Sequence, residues 1–255
     1  MESFLEVNDV CLSYHSLSGE TKVLSHLSFR MSDPEFLAIV GPSGCGKSTL
    51  LNLLAGLFPV SSGQILINGA SVFSERTRIV YMLQKDHLLD WRTVYKNIIL
   101  GLEIQRKCTP ENLKEADQYL ALYGLENFRD AYPSQLSGGM RQRVALIRTL
   151  ILKPDLLLLD EPFSALDYQT RLNVSNDIGI ILRKTKKPAI LVTHDIAEAI
   201  SMADRILILS PRPSCVQKII PITLSIKERT PLSSRDAPEF KEYFNLIWKE
   251  LNSCV

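Results

Sequence analysis

Three short stretches carry residues whose types and spacing can do chemistry. Gly41-Pro42-Ser43-Gly44-Cys45-Gly46-Lys47-Ser48 has the spacing GxxxxGK[ST], a glycine-rich loop whose backbone N–H groups cradle phosphate. In such a loop Lys47 neutralises β- and γ-phosphate oxygens and Ser48 offers its hydroxyl to Mg²⁺. On its own this loop fits kinases, GTPases and ATPases alike. Leu156-Leu157-Leu158-Leu159-Asp160-Glu161 ends an apolar run in two carboxylates. A buried strand of that kind brings Asp160 to a metal beside the phosphate loop and leaves Glu161 where it can orient or deprotonate an attacking water. Leu136-Ser137-Gly138-Gly139-Met140-Arg141-Gln142-Arg143 is a second phosphate-gripping device. It offers a hydroxyl and two residues without side chains at the start of a helical segment, where free N–H groups and the helix dipole favour an anion. Two such devices in one chain require a phosphate for each.

The first loop needs a strand before it and a helix after it. Residues 35–40 are a short apolar run ending at Gly41, and 47–57 reads as a helix closed by Pro59. Upstream, 4–13 and 22–31 read as strands joined by a turn at Leu17-Ser18-Gly19-Glu20. Downstream, 64–69 and 78–83 are strand-like. From about 86 to 152 the pattern turns helical, at 94–105, 111–123 and 140–152, which predicts an inserted helical segment. Strand character returns at 156–160 and 189–193, around a helix at 170–184. Both runs are nearly all apolar, as strands buried on two faces should be. A last core strand is predicted at 206–209. Beyond Pro211 and Pro213 follow an extended segment and an amphipathic helix at about 238–251.

A chain of 255 residues can bury a substantial core, and 45% hydrophobic with 22% charged residues suits a soluble globular protein. The net charge of +1 provides no field to recruit nucleic acid or an anionic bilayer. The densest basic run, Arg183-Lys184-Thr185-Lys186-Lys187, is expected to solvate a helix end. Cys11, Cys45, Cys108, Cys215 and Cys254 are odd in number and form no CxxC pair, which argues against a disulfide framework or a zinc site and for a reducing compartment. The first residues lack the basic and apolar regions of a signal peptide. No apolar run approaches the ~18–20 residues of a membrane helix, so a membrane role would come through a partner.

In this order, the 41–48 loop, the 136–143 segment, Asp160-Glu161 and Thr193-His194-Asp195 resemble an ABC-type ATPase, the nucleotide-binding subunit of ABC transporters. The resemblance runs over roughly residues 2–210. It implies an α/β fold, a P-loop NTPase (RecA-like) core with an N-terminal antiparallel β subdomain and an inserted α-helical subdomain. The ATP-binding domain would span 2–232, with the helical insert at about 86–152, and 233–255 would form a short helical tail. The implied ligands are ATP and Mg²⁺. Gly41, Pro42, Ser43, Gly44, Cys45, Gly46, Lys47, Ser48 and Thr49 would hold the phosphates, and Tyr14 would stack on adenine. Ser48, Gln84 and Asp160 would serve the metal, and Glu161, His194, Gln84 and Lys47 the catalysis. Ser137, Gly138 and Gly139 would contact the γ-phosphate of ATP bound to the opposite subunit of a head-to-tail dimer. Asp167, in Ser164-Ala165-Leu166-Asp167, matches the loop that couples the two sites.

Met140 stands where many family members have Gln. With Leu88-Leu89-Asp90-Trp91-Arg92-Thr93-Val94 and the tail from Pro238 through Trp248, it resembles the branch of importers for nitrate, sulfonates and taurine. That branch implies a transmembrane permease as partner, a second ATP-binding subunit, an indirectly acting solute-binding protein and no nucleic acid. The location would be peripheral, at the cytoplasmic face of the cell membrane. Asp86, His87, Leu88, Leu89 and Trp91 would form the groove for the permease, although Trp91 and Trp248 also read as core aromatics. An exporter cassette and a cluster-assembly ATPase are the alternatives. Cys45 reads as a passive loop residue, and a thiol beside the phosphates would also be open to alkylation.

Overall fold

The computed structural model describes residues 3–16, 19–74 and 77–252. Leu17 and Ser18 of the expected turn, Glu2 at the start of the expected domain, and Cys254 lie outside the described residues. Two sheets organise the chain. The smaller is antiparallel, in the order β2-β1-β4-β5, with β1 Leu5–Ser16, β2 Gly19–Met31, β4 Ser62–Ile67 and β5 Ala70–Ser71. The larger has the order β10-β9-β3-β8-β7-β6: β3 Phe36–Val40, β6 Ile79–Met82, β7 Leu156–Asp160, β8 Ala189–Val192, β9 Arg205–Leu209 and β10 Val216–Pro221. It is parallel except for β10, which pairs antiparallel with β9.

The all-apolar runs resolve into two faces because successive side chains of a strand point opposite ways. Phe36, Ala38 and Val40, Leu157 and Leu159, and Ala189 and Leu191 join one core; Leu37 and Ile39, Leu156 and Leu158, and Ile190 and Val192 join the other. The second core is closed by the antiparallel sheet and by α1 (Lys47–Leu54). The first is closed by the helices of the insert, α2 Val94–Ile98, α3 Leu100–Ile104, α4 Pro110–Leu122 and α5 Gly138–Leu150. On the same side lie α6 Tyr168–Thr185, α7 Ile196–Met202, α8 Pro231–Ser234 and α9 Phe240–Asn252. The insert therefore shares its core with the sheet.

Several expectations need correction. Helix α1 ends at Leu54, before Pro59, because Gly56 N–H bonds to Leu53 C=O (3.0 Å) and Leu57 N–H to Asn52 C=O (3.0 Å), a Schellman closure. The strand expected to reach Gly69 stops at Ile67, where Asn68 and Gly69 turn the chain into β5. The helix expected at 94–105 is interrupted at Ile99 (φ −81, ψ 0). Helix α7 went unpredicted, and the extended segment after Pro213 proves to be sheet strand β10. Ile247 of α9 is fully buried. Arg183 of the basic run turns inward to Asp204 (3.3 Å) and Met202 C=O (2.8 Å).

Candidate active site

The order β3-β8-β7-β6 places four chain segments side by side at the carboxyl ends of parallel strands, where α/β sheets present ligand sites. The phosphate loop leaves β3, Thr193-His194 leaves β8, Asp160-Glu161 ends β7, and Gln84 follows β6. Thr193 N–H bonds to Ile39 C=O (3.3 Å) and Glu161 N–H to Val192 C=O (2.8 Å), so the ladder reaches into the site.

An open cavity of about 510 Å³ is lined by Ser43, Gly44, Gly46, Lys47, Ser48, Thr49, Glu161, His194 and Arg212. Gly46 precedes α1 at φ 104, and a Cβ there would stand 2.9 Å from Val23 Cγ1. Only glycine meets both demands, and the first N–H groups of α1 are left facing the cavity. Lys47 Nζ donates to the carbonyls of Gly41 (2.8 Å) and Pro42 (3.1 Å), so these two residues lie behind the ammonium. Cys45 is buried, and burial raises its thiol pKa. This removes the expectation of easy alkylation, because the thiolate is the reactive form.

Asp160 is buried. It accepts hydrogen bonds from Ser48 Oγ at Oδ1 (3.2 Å) and from Tyr81 Oη at Oδ2 (3.0 Å). Burial raises its pKa despite these two donors, and burial, reinforced by the Asp160 carboxylate, raises that of Tyr81. A carboxylate held out of water beside a hydroxyl, with neutral donors as its hydrogen-bond partners, is a hard oxygen set that suits Mg²⁺. Tyr81 was missed in the sequence because it reads simply as an apolar strand residue.

Glu161 adopts φ 44, a left-handed conformation unusual for a side-chain-bearing residue. Besides its N–H bond to Val192, Ser164 Oγ donates to its carbonyl (2.9 Å). Its Oε2 gathers Gln84 Nε2 (3.3 Å) and His194 Nδ1 (3.1 Å). Three candidate residues from three strand ends thus meet at one carboxylate oxygen. Behind His194, Thr193 Oγ1 donates to Glu198 Oε2 and accepts from Asp195 N–H (3.0 Å). Asp195 caps α7, and Asp167 caps α6 through Thr170 N–H (3.1 Å).

Ser137 caps α5 by accepting from Met140 N–H (3.4 Å), and Gly138 and Gly139 form its first turn. None of the three lines the cavity around Lys47. Gly139 has a packing role besides any contact with phosphate: a Cβ would stand 2.8 Å from Thr170 Cγ2 and 3.1 Å from Val174 Cγ2, so α5 and α6 could not approach as they do. Tyr14 lies inside β1, opposite Thr21, where it was expected just beyond the strand. Its ring is half-exposed, 6.4 Å from that of Phe58, and it does not line the cavity.

The expected docking segment is rigidly held. Asn97, fully buried, accepts from Leu89 N–H (2.8 Å) and donates to the carbonyls of Leu89, Arg92 and Thr93. From α5, Arg141 pairs with Asp86 (2.8 Å), and Arg148 donates to the carbonyls of Asp86 (2.6 Å) and His87 (2.8 Å). Leu88 is buried in the core, so it is unavailable to a groove. Trp91 is 75% exposed and Trp248 56% exposed, which rules out the core reading for both.

The family model for ABC transporter matches residues 24–164, more than half of the chain. The uncharacterized ABC transporter ATP-binding protein YtlC of Bacillus subtilis is 44% identical over 251 residues, covering 98% of this chain and 96% of the relative. The nitrate import ATP-binding protein NrtD of Synechocystis sp. is 37% identical over 247 residues, 95% of this chain and 93% of the relative. Among solved structures, the dimeric post-hydrolysis state of the ATP-binding cassette MJ0796 bound to ADP and Pi superposes with a TM-score of 0.74 at 28% identity, covering 86% of this chain and 99% of that one. With a phosphate loop, Glu161 and His194 lining one cavity, and Asp160 and Gln84 hydrogen-bonded to residues of that lining, the chain belongs to the ABC transporter family as one of its ATP-hydrolysing, ATP-binding proteins.

Proposed function

We propose that this ATPase is the energy-coupling subunit of an importer of the nitrate, sulfonate and taurine type, working as a head-to-tail dimer on a separate permease. The observation that carries the dimer is the position of Ser137, Gly138 and Gly139. They present a capped helix start outside the cavity that already contains the chain's own phosphate loop. In this reading each signature segment covers the nucleotide held by the other subunit. Residues 2–232 form the ATP-binding unit, with the helical insert at about 86–152, and 233–255 form a tail docked through α9.

Within each site, the N–H groups of 43–49 and the Lys47 ammonium bind the phosphates, and Tyr14 stacks on adenine. Ser48, Gln84 and Asp160 would hold Mg²⁺, which when bound supplies positive charge against the β- and γ-phosphate oxygens. Glu161 accepts the proton of the attacking water, while Gln84 and His194 fix the carboxylate that does so. Asp167, at the start of α6, lies beside the signature helix and links the two sites. Relatedness to a nitrate import protein and the exposed Trp91 on a pinned loop support the importer reading. Among the described residues no helix is long and apolar enough to cross a membrane, so a permease supplies the pathway, with a solute-binding protein delivering the solute. The cassette would then sit at the cytoplasmic face.

Mixing two inactive variants tests the dimer. Lys47→Ala disables a phosphate loop and Ser137→Arg disables a signature. A mixed dimer retains one composite site with both parts intact, so ATPase activity should reappear on mixing. Absence of recovery, with dimers formed, would place Ser137 in its own subunit's site. The importer reading is tested by purification from native membranes. A co-purifying multi-span permease is expected, and soluble assembly partners in its place would overturn it.

A further inference from the structure

We infer that Arg212, supplied by the β9–β10 connection, is a phosphate-contacting residue of the nucleotide site; this rests on reading the cavity around Lys47 as the ATP site. The six residues 210–215 lie along the outer side of the phosphate loop. Arg212 Nη2 donates to the Gly44 carbonyl (2.7 Å), and the buried Ser214 hydroxyl donates to the Cys45 carbonyl. Ser214 is itself fastened to β2, its N–H bonding to Val23 C=O (2.8 Å) and its carbonyl accepting from Ser25 N–H (2.9 Å). The connection is thus anchored on the sheet side and grips the phosphate loop by two successive carbonyls. Across a trans peptide the C=O and the following N–H point in opposite directions. Holding the Cys45 carbonyl outward therefore turns the Gly46 N–H away from the connection, as a preformed anion nest requires.

Arg212 does more than clamp. It lines the cavity, it is exposed, and among the described residues no carboxylate lies within ion-pairing distance of it. Its hydrogen bond to Gly44 engages one of its five N–H donors and fixes the guanidinium at the cavity wall. The other residue of the lining with a permanent positive charge is Lys47, and the one carboxylate is Glu161. A tethered guanidinium without a counter-ion, facing a cavity built from phosphate-binding N–H groups, is placed to complete its hydrogen bonds on phosphate oxygens. The ligand class is a nucleoside di- or triphosphate, recognised through its phosphate chain and not its base.

The test is calorimetric titration of the full chain with AMP-PNP, ADP and adenosine, for the wild type, Arg212→Gln, Arg212→Lys and Lys47→Ala. Arg212→Gln keeps a donor for the Gly44 carbonyl and removes the charge. It should weaken AMP-PNP and ADP about tenfold, equivalent to about 1.4 kcal/mol, leave adenosine unchanged, and flatten the salt dependence of ADP binding. Arg212→Lys should recover part of the loss. Wild-type affinity for both phosphorylated ligands in Arg212→Gln, while Lys47→Ala loses it, would overturn the assignment and leave the cavity reading standing. An equal loss for adenosine would overturn it too, since the residue would then only shape the loop. Unchanged binding in Lys47→Ala as well would refute the cavity reading.

Discussion

Glu198 should make the stability of this protein fall with rising pH over a range where most carboxylates are silent. The side chain is buried, with one oxygen bonded to the Thr193 hydroxyl and the other, Oε1, without a partner. Burial, reinforced by the charge of Asp195, raises its pKa from the ordinary 4.5 to about 7 against the opposing Thr193 bond and the arginines at 171 and 235. The folded state therefore holds a proton between about 4.5 and about 7 that the unfolded chain has already released. Stability from this group is complete below the unfolded value and is lost as pH rises through the folded one. At 1.36 kcal/mol per pH unit, a shift of that size is worth about 2–3 kcal/mol between pH 5 and pH 8. For a chain of this length that corresponds to roughly 5–10 °C in melting temperature. Glu198→Gln keeps the shape and an acceptor for Thr193 and cannot ionise. The assay is thermal or urea unfolding of the nucleotide-free protein, wild type against variant, from pH 5 to pH 8.5. The difference between the two should grow in favour of the variant as pH rises, while titrations elsewhere cancel in the comparison. Parallel stability curves would refute the reasoning, because they would mean that Glu198 is already ionised, or solvated, at pH 5.

Three further outcomes follow from particular contacts. Glu161→Gln should retain ATP binding and slow hydrolysis at least a hundredfold, accumulating an ATP-dependent dimer on size-exclusion chromatography; normal turnover would remove Glu161 as the base. Gly139→Ala should be less stable than Gly138→Ala by about 1–3 kcal/mol in urea unfolding of the monomer. Both gain helix propensity, but only the first pushes a methyl group to 2.8 Å from Thr170, whereas the second meets the flexible end of Leu166 at 3.2 Å. Equal stability would mean that α5 and α6 separate freely. N-ethylmaleimide should modify the exposed Cys108 and Cys215 long before Cys45, which should react only on unfolding. Labelling of Cys45 at the rate of Cys108, read by peptide mass mapping, would contradict its burial.

The parts of the site that can be read from the sequence are those placed by strand ends. Asp160-Glu161, His194 and the phosphate loop each terminate a run of apolar residues, and such a run announces a buried strand whose last residue must emerge at the sheet edge. Their mutual contact is a consequence of strand order, which no local pattern encodes. Features created by long-range pairing were lost. Strand β1 runs on through Tyr14 because residues 13–16 pair with 19–22 across the hairpin. Helix α7 is hard to see in the sequence because its seven residues, Ile196 to Met202, follow a buried strand almost directly and its cap, Asp195, is also part of Thr193-His194-Asp195. Glu198 resembles an ordinary acid in a first helical turn, and only the Thr193 hydroxyl turns it inward. Arg212 stands in a proline-rich connection with no motif, and its role depends on where β9 delivers it. Leu88 and Trp91, three residues apart in one loop, face opposite ways because Asn97 fixes the backbone between them.

The contacts of α5 bear on how the two phosphate devices act together. The helix begins with the signature at Ser137 and, one turn later, carries Arg141, bonded to Asp86; two turns further on, Arg148 holds the carbonyls of Asp86 and His87. Asp86 is two residues from Gln84, which touches Glu161. The segment that follows Gln84 and the helix start proposed to cover the partner's nucleotide are thus joined by one ion pair and two charge-assisted hydrogen bonds, the stronger class of such contacts. The same segment continues to Trp91, and Asn97 ties its backbone to α2, which packs on α5. A displacement of Asp86 cannot leave α5 in place without breaking those bonds, and a load on Trp91 reaches both ends of this unit. In the proposed importer dimer, such a unit would make permease docking and signature placement mechanically inseparable.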